Sequence, residues 1–199
     1  EVRDRPVNGE PIGWDALPAL FGRSIALVEN TRQTRLTTPP EEVAQRAREL
    51  GGSLPPAEAA RAICDWVHEK VEYMSGVTGV HTTAAEAWQD QRGVCQDIAH
   101  LALGALRTAG IPARYVSGYL HPVPDAQIGE TVAGESHAWV EWFDGGWRGY
   151  DPTNAIEIGD RHVIVGRGRD YTDVPPLRGV YAGPASSRLF VTVEITREA

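Results

Sequence analysis

Apolar residues recur at helical spacing along three stretches in the first half of the chain. Residues 40–50, 57–72 and 95–109 each place their apolar side chains on one stripe, the pattern of an amphipathic helix that buries one face. A shorter helical pattern covers residues 84–88. The stripes comprise Val43, Ala44, Ala47 and Leu50; Ala60, Ile63, Cys64, Val67 and Val71; and Ile98, Leu101, Ala102, Ala105, Leu106 and Ala109.

Beyond residue 112 the pattern changes to short segments rich in Val, Tyr and Trp, which are typical of strands. These segments are residues 113–120, 137–143, 147–151, 163–165 and 189–196. Helices come first and strands follow, rather than alternating. The order therefore predicts an α+β fold in which helices pack on an antiparallel β-sheet.

The first forty residues show no clear periodicity. We expect residues 1–40 to be an N-terminal arm or a linker from a missing upstream domain, and residues 41–199 to form the core domain. The chain starts at Glu1, without an initiator methionine or the apolar segment of a signal peptide. A total of 199 residues suits one domain of ordinary to large size.

The net charge and the cysteine content limit the binding partners and the cellular compartment that we expect for the chain. The chain has 27 acidic and 19 basic residues, a formal net charge of −8. Such a surface repels nucleic acid and anionic membranes, and it suits a neutral or basic polypeptide better. Two cysteines are too few for a disulfide framework or a four-ligand zinc site, so we expect a reducing, cytoplasmic location, no cofactor and no metal.

Cys95 stands where the third predicted helix begins. Unpaired N–H groups and the partial positive charge of a helix amino terminus stabilise a thiolate, the form of cysteine that attacks an amide. Gly93, just before it, allows a sharp turn and a close approach by a substrate. A lone cysteine is more often a buried, inert residue, and that interpretation suits Cys64, on the apolar stripe of its helix.

A base for this thiol can be chosen from six histidines by strand register. If residues 144–146 form a three-residue hairpin loop, Phe143 faces Trp147, and His137 becomes a diagonal neighbour of Asp151 on the same face. A carboxylate there can orient the imidazole. A two-residue loop would place the two side chains on opposite faces, so the hypothesis depends on register.

Four motifs in order resemble a known family. They are Gly93-Val94-Cys95-Gln96-Asp97; residues 110–119, which read Gly-Ile-Pro-Ala-Arg-Tyr-Val-Ser-Gly-Tyr; Ser136-His137-Ala138-Trp139-Val140-Glu141; and Asp151-Pro152-Thr153-Asn154. The chain closely resembles bacterial transglutaminase-like proteins, also described as cysteine proteases, of the papain-like superfamily. The resemblance covers residues 60–155, and residues 168–171 and 175–180 are similar to the same family's tail.

The resemblance implies a papain-like transglutaminase core with Cys95 as nucleophile, His137 as general base and acid, and Asp151 as the orienting carboxylate. It also implies an oxyanion hole built from the Cys95 N–H and an upstream side-chain donor. Tyr73 is the candidate donor, with Trp88 and Gln91 behind it.

Metal sites are not favoured by the residues around Cys95. Asp97 and His100 are not spaced to place three ligands on one helix face. The chain also lacks an acidic calcium-binding loop of the kind found in calcium-activated animal transglutaminases. Asp97 is better interpreted as a partner of the helix dipole, although its charge opposes thiolate formation.

Together these features predict cysteine-dependent acyl transfer on peptide or glutamine amides through a thioester. We expect hydrolysis, since nothing marks an amine channel that would exclude water. The alternatives are a protein-crosslinking transglutaminase, an enzyme of peptidoglycan metabolism, or a catalytically silent peptide-binding module.

Overall fold

The computed structural model describes residues 9–175 and 192–198. The three predicted helices are confirmed, with boundaries shifted by a few residues; the first runs on through Gly51 and Gly52. The helices are α1 Leu17–Phe21, α2 Ile25–Glu29, α3 Glu41–Ser53, α4 Pro56–Lys70, α5 Ala84–Asp90 and α6 Cys95–Thr108. Within residues 9–175 and 192–198, none of these helices is both long and apolar enough to cross a membrane.

The strands form an antiparallel sheet with the order β7-β6-β5-β3-β8. Two smaller sheets flank it, a parallel pair β1-β2 and an antiparallel pair β4-β9. The strands are β1 Glu72–Tyr73, β2 Arg92–Gly93, β3 Ala113–Leu120, β4 Thr131–Ala133, β5 Glu135–Phe143, β6 Trp147–Asp151, β7 Ile156–Glu157, β8 His162–Gly168 and β9 Glu194–Thr196. The predicted α+β class is confirmed. Of the predicted strand at 189–196, residues 189–191 lie outside the described residues.

The hairpin between β5 and β6 has the register predicted from the sequence. Phe143 pairs with Trp147, and Val140 pairs with Tyr150. Gly145, in the three-residue connection, has φ +108°, a conformation that L side chains rarely adopt. The loop length therefore fixes which face of the hairpin His137 and Asp151 share.

Helix α6 lies at the centre of the hydrophobic core. It packs on β5 and β3 on one side and on α3, α4 and α5 on the other, so residues all around the helix are buried. Cys64 on α4 is fully buried in the same core, as its position on the apolar stripe predicts. A helix surrounded in this way gives its first residue, Cys95, a fixed position.

Residues 9–40 lie along this core. Leu17, Leu27 and Leu36 are buried, and backbone bonds join the Ala84 N–H to the Leu36 carbonyl and the Ala113 N–H to the Asn30 carbonyl. The division into an arm over 1–40 and a core over 41–199 remains a prediction. Residues 1–8 and most of the family-like tail at 175–180 lie outside the described residues.

Candidate active site

Cys95 is the first residue of α6 and is partly exposed. Its backbone N–H is among those that an α-helix leaves without an intrahelical partner at its amino terminus. The preceding Gly93 is required for packing: a Cβ atom there would lie 2.7 Å from the Cβ of Asp97. The sequence suggested a sharp turn as the reason for this glycine, whereas the structure shows close contact with the first turn of α6.

The Asp97 side chain is bonded to the backbone at the amino terminus of α6. Its Oδ2 accepts hydrogen bonds from the Val94 N–H at 2.9 Å and from the Thr78 hydroxyl at 2.6 Å. Burial raises the pKa of Asp97, and these two bonds oppose the rise. The carboxylate therefore joins the loop carrying Thr78 to the helix that carries Cys95.

His137 and Asp151 lie in contact, as the hairpin register predicts. The His137 Nε2 atom is 2.7 Å from Asp151 Oδ2, and both side chains are almost entirely buried. Because Nε2 faces the carboxylate, the other ring nitrogen is the one available to Cys95. Cys95 is close enough to His137 to contribute to its pKa.

The pKa of His137 reflects both neighbours. Burial by itself lowers the pKa of the imidazole, but the hydrogen bond with Asp151 and the proximity of Cys95 outweigh burial and raise the pKa to about 9. A histidine with such a pKa carries a proton at neutral pH, unlike an unperturbed one. The structure thus brings together the three residues that the sequence singled out.

The Asp151 carboxylate is fixed by four hydrogen bonds. Oδ1 accepts the backbone N–H groups of Thr153 and Asn154 at 2.9 and 3.2 Å. Oδ2 accepts from His137 and from the Asn154 side-chain amide, each at 2.7 Å. Burial alone would raise the pKa of Asp151, but the bonds from His137 and Asn154 and the nearby His162 ring together depress it well below its usual range. Asp151 is therefore ionised and oriented.

Two neighbours of Asp151 were not found by sequence reasoning. Asn154 reaches back to the carboxylate from a turn in which Ala155 has φ +54°. His162 begins β8 and points its Nε2 atom at Asp151 Oδ2 from 3.6 Å. The Asp-Pro-Thr-Asn motif contained a signal for Asn154, because Asp and Asn side chains commonly close such turns. His162 gave no local signal, because β8 pairs with β3 and not with β6.

Tyr73 lies beside Cys95 and is half-exposed. Burial raises the pKa of its phenol, and the nearby Cys95 and Glu135 raise it further. The indole N–H of Trp88 donates to Glu42 on α3 at 3.0 Å. Gln91 caps α5 in a left-handed conformation, and its carbonyl accepts the Glu72 N–H.

The loop from Ser75 to Thr82 rests on the start of α6. Its Val80 carbonyl accepts a bond from the Gln96 side chain at 3.3 Å. Val77 and Val80 are each nearly half exposed, as is Tyr73. A surface cavity of about 570 Å³ lies between this loop and Glu86 and Asp90. Exposed apolar surface therefore lies on a loop that is bonded to Gln96 and Asp97 in the first turn of α6.

His100 lies one turn beyond Cys95 on α6 and has a different environment. It is fully buried, and its Nε2 atom accepts the Tyr171 N–H at 3.2 Å. Burial lowers its pKa to about 4, with Arg107 also lowering it and Asp170 opposing. Among the described residues, no group of three or more His, Cys, Asp and Glu side chains is arranged to bind a metal ion.

A family model for the transglutaminase-like superfamily matches residues 44–152, more than half of the chain. This region contains Cys95, His137 and Asp151.

Individual relatives extend the match. An uncharacterized protein of Mycobacterium leprae is 46% identical over 190 residues, which cover 94% of this chain and 67% of the relative. A protein-glutamine gamma-glutamyltransferase of Pseudomonas aeruginosa is 31% identical over 154 residues, covering 67% of this chain and 23% of the relative. This chain thus spans about two thirds of the first protein and about a quarter of the second.

A solved structure shares the fold. The crystal structure of a "putative cysteine protease" from Cytophaga hutchinsonii superimposes with a TM-score of 0.71 at 26% identity, covering 88% of this chain and 57% of that one. With the family model and the relatives, this similarity identifies the family: the chain belongs to the transglutaminase-like superfamily.

Proposed function

We propose that the chain is a cysteine-dependent acyl-transfer enzyme with Cys95, His137 and Asp151 as its catalytic triad. The observation that carries the proposal is the buried His137–Asp151 pair, with 2.7 Å between Nε2 and Oδ2, close enough to Cys95 for the thiol to contribute to the pKa of His137, which is raised to about 9. A protonated imidazole is the counter-ion that a thiolate nucleophile requires.

In this mechanism the Cys95 thiolate attacks the carbonyl carbon of a peptide or glutamine side-chain amide, and the carbonyl π electrons move to oxygen. The tetrahedral intermediate then collapses: the C–N bond breaks, His137 gives its proton to the leaving amine, and a thioester remains. His137, now neutral, takes a proton from water as the water oxygen attacks the thioester. A carboxylic acid leaves, and the thiolate–imidazolium pair is restored.

Two donors are proposed for the developing oxyanion. The Cys95 N–H points out of the amino terminus of α6, where helix geometry leaves it without an internal partner. The Tyr73 hydroxyl is the second donor, because Tyr73 lies beside Cys95 and is exposed enough to meet a substrate. The apolar surface of Val77 and Val80 would contact the substrate chain.

Hydrolysis is the preferred outcome of the thioester. Cys95 is partly exposed, so water can reach it. Amine transfer is the second candidate, and it is favoured by the relative named a protein-glutamine gamma-glutamyltransferase. That relative is matched over only 23% of its length, so its activity does not decide the reaction of this chain.

Location and domain organisation belong to the same proposal. Both cysteines are free, which agrees with the cytoplasmic, reducing location predicted from the sequence. Residues 41–199 would carry the catalytic site, and residues 1–40 would connect it to upstream sequence.

Incubation with a glutamine-containing peptide and a labelled primary amine tests this function. We expect conversion of the glutamine to glutamate, the product of hydrolysis, to exceed amine incorporation several-fold; ammonia leaves when the thioester forms and is released in both reactions. Cys95→Ala should abolish both, whereas the matched change Cys64→Ala, in the core, should preserve the rate per folded molecule. Amine incorporation well above hydrolysis would replace hydrolysis with crosslinking. No turnover of any peptide, with Cys95 no more reactive than a free thiol, would favour a silent peptide-binding module.

A further inference from the structure

A second histidine faces the Asp151 carboxylate. His162 is the first residue of β8, paired with Leu120 of β3 and only 2% exposed. In the sheet, β8 is separated from β6 by β5 and β3, yet the His162 Nε2 atom lies 3.6 Å from Asp151 Oδ2. The ring therefore reaches the carboxylate from a different direction than His137.

A hydrogen bond from the backbone determines which ring nitrogen of His162 carries the proton. The Gly159 N–H donates to His162 Nδ1 at 3.3 Å. A nitrogen that accepts a hydrogen bond carries no proton of its own, so a neutral ring has its proton on Nε2. Among the described residues, Nε2 is buried with no hydrogen-bond partner of normal length.

Trp139 limits the movement of this ring. The indole of Trp139 meets the His162 imidazole edge to face, with centroids 5.2 Å apart and planes at 73°. Trp139 also neighbours His137, at 6.1 Å between centroids. His162 is thus confined between the Gly159 N–H, the Trp139 indole and the carboxylate.

The contact between His162 Nε2 and Asp151 Oδ2 places a further N–H group beside this oxygen. At 3.6 Å it is longer than an ordinary hydrogen bond, so it acts as an N–H dipole directed at the carboxylate. His162 is nevertheless among the groups that depress the pKa of Asp151. The titratable groups facing this centre are His137 from β5, His162 from β8 and Cys95 from α6. The Nδ1 atom of His68 on α4 is instead 3.1 Å from the carbonyls of Pro152 and Thr153.

We propose that His162 is a positioning residue: its Nε2–H, directed at Asp151 Oδ2 beside the Asn154 amide, fixes the carboxylate in the orientation that His137 requires. This inference rests on the proposed triad. Without the His162 donor, Oδ2 keeps the bonds from His137 and the Asn154 amide but loses the N–H group that limits its movement, so the carboxylate supports the His137 imidazolium less well and Cys95 reacts more slowly at acid pH.

The test measures the alkylation rate of Cys95 by iodoacetamide between pH 4 and 9. The thiolate sulfur displaces iodide and forms a thioether, so the rate follows the thiolate. Cys64 is fully buried, and burial raises its pKa, so it does not contribute. His162→Phe retains the ring against Trp139 but removes the donor, whereas His162→Gln retains an N–H donor.

We expect His162→Phe to move the acid limb of the profile up by about 1 pH unit, making alkylation at pH 5 roughly tenfold slower. His162→Gln should restore most of the difference. His121→Phe is the matched control, because His121 is also buried, contacts the Val123 backbone through Nδ1 (3.2 Å to the N–H and 3.0 Å to the carbonyl) and leaves Nε2 buried without a partner in the described residues. His121→Phe should leave the acid limb of the alkylation profile unchanged.

An unchanged limb in folded His162→Phe, equal shifts in His162→Phe and His162→Gln, or the same shift in His121→Phe would each overturn the positioning role. His137→Ala separates this from failure of the triad. If His137→Ala slows alkylation and His162→Phe does not, only the role of His162 fails; if His137→Ala alkylates like the wild type, the proposed function fails.

Discussion

The structure contains two buried histidine–carboxylate clusters, and they differ in the direction of their imidazole hydrogen bonds. In the His137 cluster, which comprises His137, Asp151, Asn154 and His162, the Nε2 atom of His137 faces a carboxylate oxygen. In the His100 cluster, which comprises His100, Arg107, Asp170 and Tyr171, the Nε2 atom of His100 accepts a backbone N–H.

The counter-ions differ in the same way. Asp151 has no arginine among the groups that shift its pKa, and its bonds come from imidazole, amide and backbone N–H groups. In the His100 cluster Arg107 is 4% exposed and donates to the carbonyls of Ala113 and Arg169. Burial is the largest cause of the low pKa of His100; Asp170 opposes it, and the permanent cation of Arg107 lowers the pKa further.

The result is a difference of about five units between the pKa values of two buried histidines, about 9 for His137 and about 4 for His100. Burial acts in the same direction on both rings, lowering the pKa. The hydrogen-bond partner therefore decides which histidine can donate a proton, and proximity to Cys95 in the sequence does not.

The largest expected effect is on catalysis by the two histidines. His137→Ala should reduce the rate of amide hydrolysis by about 10⁵-fold, as loss of a triad base does elsewhere. His100→Gln, which retains an acceptor for the Tyr171 N–H, should keep the rate per folded molecule within about threefold. Single-turnover assays normalised to folded protein would measure both; comparable losses would erase the distinction between the clusters.

The carboxylates Asp151 and Asp170 should also differ in their importance for catalysis. Asp151→Asn removes the charge that keeps His137 protonated, and we expect a loss of roughly 10³–10⁴-fold in kcat. Asp170→Asn retains an oxygen for the Thr172 N–H and hydroxyl and should cost about 1–2 kcal/mol of stability with little change in kcat. A fall in kcat for Asp170→Asn as large as that for Asp151→Asn would contradict this.

Opposite signs of pH dependence are expected for folding stability. The pKa of His137 is raised from 6.5 to about 9, so its contribution is complete below pH 6.5 and is lost as pH rises through 9. The pKa of His100 is lowered to about 4, so its cost appears as pH falls from 6.5 towards 4. Each difference corresponds to roughly 3 kcal/mol at 1.36 kcal/mol per unit.

Urea unfolding at pH 4.5, 6.5 and 9.5 would separate these contributions. Asp151→Asn should reduce the loss of unfolding free energy between pH 6.5 and 9.5 and leave the loss between pH 6.5 and 4.5. His100→Gln should reduce the loss at acid pH and leave the loss at alkaline pH. If each variant changed both limbs equally, the two clusters would not titrate independently.

Two tyrosines provide the smallest of these tests. Tyr73 is half-exposed beside Cys95, whereas Tyr115 is buried with its ring 5.3 Å from that of His100. Removal of an oxyanion donor by Tyr73→Phe should lower kcat about 10²-fold with little change in KM. Tyr115→Phe should leave kcat within about threefold. A larger loss of kcat for Tyr115→Phe than for Tyr73→Phe would indicate that Tyr115, and not Tyr73, is the oxyanion donor.

Sequence periodicity was sufficient for the parts of the fold that depend on local geometry. Three helices followed from their apolar stripes, and the contact between His137 and Asp151 followed from the length of one hairpin loop. Both arguments work because helix and strand repeats fix which residues share a face. Cys95 was located by the same reasoning, as the first residue of a helix.

The features that were missed depend on long-range or irregular structure. His162 reaches Asp151 only because β8 pairs with β3 across the sheet, and no local pattern specifies that strand order. Asn154 depends on a turn with a left-handed residue, Ala155. The helices α1 and α2 have five residues each, too short to show a periodicity, and are stabilised by packing on the core.

The most direct measurement is an NMR titration of the histidine ring nitrogens in protein labelled with ¹⁵N-histidine. We expect one imidazole to stay protonated until its pKa of about 9, to vanish from the spectrum in His137→Ala and to titrate near 6.5 in Asp151→Asn. If every imidazole lost its proton below pH 7.5, or if the one with the highest pKa were unaffected by Asp151→Asn, His137 would not be the protonated partner of Cys95.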